Sequence, residues 1–390
     1  MDELAALTTT TDPDGFVLPP VSGVQRDDEF VEQEHRVAAA EAAIVESRWD
    51  DAVAILTESP IAPGHLPDLA LRSLFAESWA RMYRGELDEA LELLKTAKRV
   101  AHRPGFNDLD RAEVLYRIGC VRVKRSAISR AVNDLSLALE LCERSGRPCD
   151  RLRAEILEWR SRCYQRQRDF AAARADVEWA LELADGMDDQ LTAAHVNFRA
   201  SVIAERNGQW LLARFYAERS KELYTECGDE ANAGRLLNNL GGLDFLLGKP
   251  EEAVANLKRA VAIALEVGSD VDAAYAVSSL AQVHLRTGDP VLAEPQARHA
   301  LELLAGRPDA LDELGNVQLV LGRSLLQQDR LEEAAESFEA AEATFAQLES
   351  PSLLSAAWLA QGDLALARRD PESAAALFRQ AADALQDFNF

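Results

Sequence analysis

The chain has 390 residues, of which 48% are hydrophobic and 28% charged, enough apolar material for several domains or for one long repeat array. Its 42 Lys and Arg against 66 Asp and Glu give a net charge of −24, which argues against nucleic acids and anionic membranes as general partners. Five cysteines without a CxxC pair argue against a zinc site and favour a reducing compartment.

Residues 1–28 differ in composition from the rest of the chain. They carry six acids against one arginine, together with a threonine run and paired prolines, so we expect an acidic disordered tail. The acidic start is unlike a signal peptide, and no uncharged apolar run approaches the roughly 18 residues of a membrane span. The sequence therefore predicts a cytoplasmic protein without a membrane segment, and its arginine-rich, lysine-poor usage points to a bacterium.

Alanine recurs about every 40 residues through residues 29–390. Twelve residues before each of these alanines stands Gly, Ala or Ser, and seven residues after it stands Ala or Ser. Four residues after it, most repeats have a larger apolar residue. Small residues at this spacing let two helices cross closely while the large residue fills the space between them, so each repeat is predicted to be a helical hairpin. The alanine column is Ala52, Ala90, Ala131, Ala173, Ala213, Ala253, Ala293, Ala334 and Ala374.

Turn signals separate the two helices of most hairpins, as in Gly248-Lys249-Pro250, and the second helices often begin with acids. No segment alternates like a strand, so the fold class is all-α. The predicted hairpins span approximately residues 30–59, 66–102, 108–144, 149–185, 189–227, 230–267, 270–305, 309–348 and 351–387.

This pattern resembles the tetratricopeptide repeat (TPR) family. The clearest copies are Leu237-Asn238-Asn239-Leu240-Gly241 followed by Ala253, and Trp358 with Gly362 and Ala374. The longer period is similar to the subclass of kinesin light chains and bacterial peptide-sensing regulators. The resemblance implies a right-handed alpha-alpha superhelix, a TPR solenoid of about nine hairpins, whose first helices line a concave groove.

On the first helices, residues spaced i, i+4, i+7 and i+11 share the face that lines the groove in TPR proteins. This stripe holds ten basic residues against three acids, the reverse of the chain as a whole, which predicts a basic groove for an acidic or extended peptide segment. In related grooves an Asn pair contacts the peptide. The candidate groove residues are Arg117, Lys124, Trp159, Arg162, Arg166, Arg199, Arg206, Arg235, Asn238 and Asn239. Two plainer interpretations remain open: the arginines form a solvated or paired face, and Trp159 belongs to the core.

The sequence favours a non-catalytic scaffold or adaptor that binds another protein or peptide. It has no HExxH, P-loop, GxSxG or GxGxxG motif, so we expect no catalytic residues, no metal and no cofactor. The alternative is a peptide- or ligand-responsive sensor that acts through a separate effector protein. RNA in the basic groove is a third, less favoured reading. The acidic tail is a candidate to occupy the protein's own groove.

Overall fold

The computed structural model describes residues 23–46, 48–62, 66–307, 310–348 and 350–386. Within these ranges the regular structure is helical throughout, which confirms the predicted fold class. The helices are α1 (Gly23–Val45), α2 (Trp49–Glu58), α3 (Pro67–Tyr83), α4 (Leu87–Ala101), α5 (Asp108–Lys124), α6 (Ile128–Ser145), α7 (Asp150–Arg166), α8 (Phe170–Ala184), α9 (Gln190–Arg206), α10 (Trp210–Glu226), α11 (Glu230–Leu246), α12 (Pro250–Glu266), α13 (Asp270–Arg286), α14 (Pro290–Leu303), α15 (Leu311–Gln327), α16 (Leu331–Gln347), α17 (Pro351–Ala367) and α18 (Pro371–Gln386).

The chain divides into two compact units, Met1–Leu152 and Arg153–Phe390, here called unit 1 and unit 2. In both units consecutive helices pack against each other in pairs, as the predicted hairpins require. Helix α1 begins at Gly23, so the last six residues assigned to the acidic tail are helical. Residues 1–22, with the predicted self-binding of the tail, lie outside the described part of the chain.

Close helix crossings sit where the small-residue column predicts them. A Cβ atom added to Gly241 would lie 2.5 Å from Leu257 Cγ, and one added to Gly322 would lie 2.4 Å from Phe338 Cε1. Leu257, Phe338 and the alanine column residue Ala253 are fully buried. In these two hairpins the large side chain fills the space that the glycine leaves, without room for another methyl group.

In the eight hairpins that follow α2, the turn uses a left-handed backbone residue five positions before the column alanine. Gly248 takes φ 76° there, and the N–H of Lys249 donates to the carbonyl of Asp244 at 2.9 Å, as a Schellman motif requires. Four hairpins place a residue other than glycine at this position and keep the same conformation: Ser126, Arg168, Asp329 and Arg369.

No helix in the described ranges is both long and apolar enough to cross a bilayer. The five cysteines are all free thiols. Burial raises the pKa of Cys163 to about 11, which keeps this thiol protonated and favours a packing role.

Candidate functional site

In unit 1, two residues of the predicted groove stack on aromatic rings of α3. The guanidinium of Arg117 lies 4.8 Å from the centre of the Phe75 ring and donates to Glu113 at 2.7 Å. The ammonium of Lys124 lies 5.2 Å from the centre of the Tyr83 ring. The positive charge of Arg117 is thus balanced by a carboxylate on its own helix, so it adds little net charge to this face.

In unit 2, the arginines of α7 and α9 meet at one buried carboxylate. Glu158 is 3% exposed, and its Oε1 accepts from Nε of Arg162 at 2.7 Å and from Nε of Arg199 at 2.9 Å. Burial would raise the pKa of Glu158, but the charges of Arg162 and Arg199 lower it below its ordinary value. Glu158 and Arg199 are thus a buried ion pair, and Arg162 joins the same carboxylate from a half-buried position.

Arg199, a candidate groove residue, is therefore buried and paired, which is one of the two interpretations that the sequence left open. Its Nη1 also donates to Gln165 at 3.4 Å. Trp159 is buried as well, and the guanidinium of Arg162 lies 4.3 Å from the centre of its ring. Arg166 and Arg206 are exposed at the ends of α7 and α9.

On α11, Arg235 is exposed but paired: its Nη2 lies 2.9 Å from a carboxylate oxygen of Asp272 on α13. Glu158 and Asp272 are functional neighbours that the groove stripe did not include. The first lies four residues before Arg162, a spacing that predicts a helical ion pair, while the second lies 37 residues after Arg235 on the next first helix. The face is accordingly less basic than the stripe alone predicts.

The Asn pair of α11 lines a pocket of about 220 Å³ together with Phe198, Arg235 and Tyr275. Asn238 and Asn239 are both half-buried. The Oδ1 atom of Asn238 is inaccessible to solvent and has no hydrogen-bond partner. Gly234 lets α12 approach this pocket, since a Cβ there would lie 2.8 Å from Cγ2 of Ile263.

The pocket can accept a polar group with both donor and acceptor character. A carboxamide offers one acceptor oxygen and two donor hydrogens, the complement of a peptide N–H and C=O. Within the described residues no group of three or more metal-binding side chains comes together. What the site offers is hydrogen bonds and charge.

Comparison with known proteins gives the class of this chain. Family models described as tetratricopeptide repeat match residues 189–266, 232–306 and 319–387. Residues 189–306 and 319–387 are therefore tetratricopeptide repeats, as the columns of small residues predicted. No curated protein shows significant sequence similarity to it.

Solved structures share the fold over nearly the whole chain. The apo form of RapI is 12% identical, with a TM-score of 0.67 over 91% of this chain and 98% of RapI. The apo form of the quorum sensor NprR from B. thuringiensis is 13% identical, with a TM-score of 0.64 over 90% of this chain and 98% of NprR. A Rap protein complexed with Competence and Sporulation Factor is 18% identical, with a TM-score of 0.61 over 94% and 99% of the two chains. The TM-scores establish a common fold, and at these low identities they establish the fold alone.

Proposed function

We propose that this protein is a non-catalytic adaptor that binds an extended peptide segment of another protein on the first helices of unit 2. The observation that carries the proposal is the pocket at Asn238 and Asn239, where a buried carboxamide oxygen lacks a partner. Because that oxygen is closed to solvent, a peptide would bind through the neighbouring carboxamide of Asn239, where each hydrogen bond would contribute about 0.5–1.5 kcal/mol.

The charge of the neighbouring helices favours an acidic segment. Two arginines contact Glu158 there, and Arg206 lies exposed at the end of the same helix as Arg199. Because an arginine guanidinium binds a carboxylate through two parallel hydrogen bonds, Arg162 and Arg206 are the side chains that would select acids. Arg199 would act through Glu158 and would not touch the peptide.

The alternative function is a ligand-responsive sensor that acts through a separate effector protein. It is favoured by the structural neighbours, which include a quorum sensor and a Rap protein complexed with Competence and Sporulation Factor. A sensor would change its small-angle scattering profile when the peptide binds, whereas an adaptor would keep the same profile. Free thiols at all five cysteines support a reducing compartment such as the cytoplasm for either function.

The test is a selection of random peptides displayed on phage against the full chain, followed by calorimetry with the enriched peptides. Asn239→Ala should weaken binding about tenfold, the loss of one or two hydrogen bonds to the peptide backbone. The matched control is Asn207→Ala, since Asn207 is exposed in the turn after α9, away from the pocket.

Equal affinity of the wild type and Asn239→Ala for every enriched peptide would overturn the proposal. An enriched set without acidic residues would retain the peptide-binding adaptor and remove the acidic preference.

A further inference from the structure

A second and larger pocket lies between α8 and α10, at the start of α9. It has a volume of about 590 Å³, within the range of small-ligand and side-chain pockets. Its buried lining includes Ala184, Ala193 and Leu223, and the ring of Phe215 forms an exposed wall. The pocket is apolar at the bottom and open to solvent at the side.

The wall of this pocket continues into an apolar surface at the beginning of α10. Phe215 is 60% exposed and Leu211, one turn earlier, is 74% exposed. The rings of Phe215 and Tyr216 meet edge to face, with centroids 5.4 Å apart. Large side chains that stay in water beside a pocket mark a surface that another molecule covers.

One polar side chain inside the pocket stands where other hairpins are apolar. Asn197 is buried, and the equivalent residues Leu157, Leu237 and Val277 are buried as well. Gln318 is also polar at this position, and it accepts a hydrogen bond from Thr344 of the facing helix at 3.0 Å.

Asn197 has no comparable partner, because the residue equivalent to Thr344 is Leu223. Among the described residues its hydrogen bond runs from Nδ2 to the carbonyl of Ala193, one turn back on α9. The pocket therefore contains a carboxamide oxygen that a donor from outside can reach.

The rim of the pocket is acidic. It includes Glu182 and Asp185 at the end of α8, Asp188 in the turn that follows, and Glu226 on α10. The single basic residue of the lining, Arg219, lies 3.3 Å from Glu222 and is neutralised by it. Such a rim attracts a cationic segment and repels both anionic lipid and an acidic peptide.

We propose that this pocket is a second binding surface, which receives an apolar side chain of a basic amphipathic helix from a protein partner. The apolar anchor fills the space between Leu223 and Phe215, lysines or arginines of the helix face the acidic rim, and Asn197 accepts a hydrogen bond from the incoming chain. The surface is distinct from the peptide groove, since Asn197 is two residues from the stripe residue Arg199 and so about 200° around α9 from it.

The probe is a fluorescein-labelled amphipathic peptide made only of leucine and lysine, titrated with the full chain and followed by anisotropy. Phe215→Asp should weaken its binding about tenfold, because the variant puts a charge at the apolar wall. The double variant Glu182→Lys, Asp185→Lys should weaken it about fivefold or more. Phe215, Glu182 and Asp185 are all exposed, so circular dichroism should show an unchanged fold for both variants.

The control is Glu251→Lys with Glu302→Lys, which changes the net charge equally at exposed positions outside the pocket. It should weaken binding less than about twofold. Equal loss in the two double variants would mean that only the overall charge attracts the peptide, and would overturn the proposal. A dimer in sedimentation that Phe215→Asp converts to a monomer would also overturn it, since the occupant would be a second copy of the chain. Asn239→Ala should leave this binding unchanged, so the two surfaces fail or succeed separately.

Discussion

At the scale of single residues, the ion pair between Glu158 and Arg199 in unit 2 is expected to contribute to the free energy of unfolding. Arg199 is buried and its charge is balanced by Glu158, which links α7 to α9. Glu158→Ala would leave that guanidinium buried without a carboxylate, which typically costs 3–5 kcal/mol. We expect the midpoint of urea unfolding, followed by circular dichroism, to fall accordingly.

The control for this variant is Glu178→Ala, which removes an exposed carboxylate 3.4 Å from Arg174 and should cost less than about 1 kcal/mol. If both variants unfold at the same urea concentration, the ion pair does not hold α7 and α9 together.

A second buried carboxyl, Glu313, predicts a pH-dependent stability. Burial raises its pKa to about 7, although Asn316 donates to it at 3.5 Å. The folded state therefore holds a proton that the unfolded state, with an ordinary pKa of 4.5, releases earlier. The stability that this proton contributes is complete below the unfolded pKa and is lost as the pH rises through about 7.

The isosteric variant Glu313→Gln stays neutral at every pH. Between pH 5 and pH 8 the wild type should lose up to about 3 kcal/mol more stability than this variant. Urea titrations of both proteins at the two pH values measure the difference. Parallel pH profiles for the wild type and Glu313→Gln would exclude Glu313 as their cause.

The sequence predicted the candidate site only in part, and the pairing of charges explains why. The stripe identifies which arginines share a helix face, but a carboxylate that lies just beside the stripe, such as Glu158, decides whether their charge is free. Asn238 and Asn239 could be proposed as site residues because the Leu-Asn-Asn-Leu segment departs visibly from the apolar columns. The pocket at Asn197 was missed, since a single Asn in an apolar column gives no sign of the space around it.

At the scale of helices, the size of one residue sets the size of its partner across the hairpin. Glycines face the phenylalanines of the last two hairpins, as Gly322 faces Phe338, whereas Ala281 faces Ala297. Gly322→Ala would place a methyl group 2.4 Å from the Phe338 ring and should cost about 1–3 kcal/mol.

Phe338→Leu should rescue that variant, because the smaller side chain yields the space. A double-mutant cycle in urea measures the coupling, which we expect to be about 1 kcal/mol or more. Additive costs would contradict the proposed contact between the two positions.

The hairpin turns give an opposite expectation, a gain in stability. Arg168 occupies the left-handed region with φ 61°. The hairpins that have glycine at this position pay no steric cost there. Arg168→Gly should stabilise the protein by up to about 1 kcal/mol, the difference between the lost strain and the greater freedom of the unfolded chain. Differential scanning calorimetry should show a higher melting temperature. The same change at Gln167, outside the left-handed region, should lower it.

The fold was more predictable than the site because every repeat needs small residues at the same positions, where its two helices cross. The alanine column and the small residue twelve positions before it impose a steric requirement, so one side chain too large would separate the helices. Arg168 shows what a sequence pattern leaves out: the turn keeps its conformation without its usual glycine, and only the backbone angle reveals it.

At the scale of the whole molecule, unit 2 combines two surfaces of opposite character. The first helices present the amides of Asn238 and Asn239, whereas the pocket between α8 and α10 has an acidic rim. On the two proposals, a chain of net charge −24 would hold an acidic segment on one surface and a basic helix on the other. Two such ligands would not compete, which suits an adaptor.

The most direct test of the peptide groove is photo-crosslinking of a peptide selected against the full chain. The photoreactive residue p-benzoylphenylalanine replaces either Phe198, which lines the pocket of the Asn pair, or Phe215, which lines the second pocket. We expect a crosslink to the peptide from position 198 and none from position 215. A crosslink from position 215 alone would contradict this expectation.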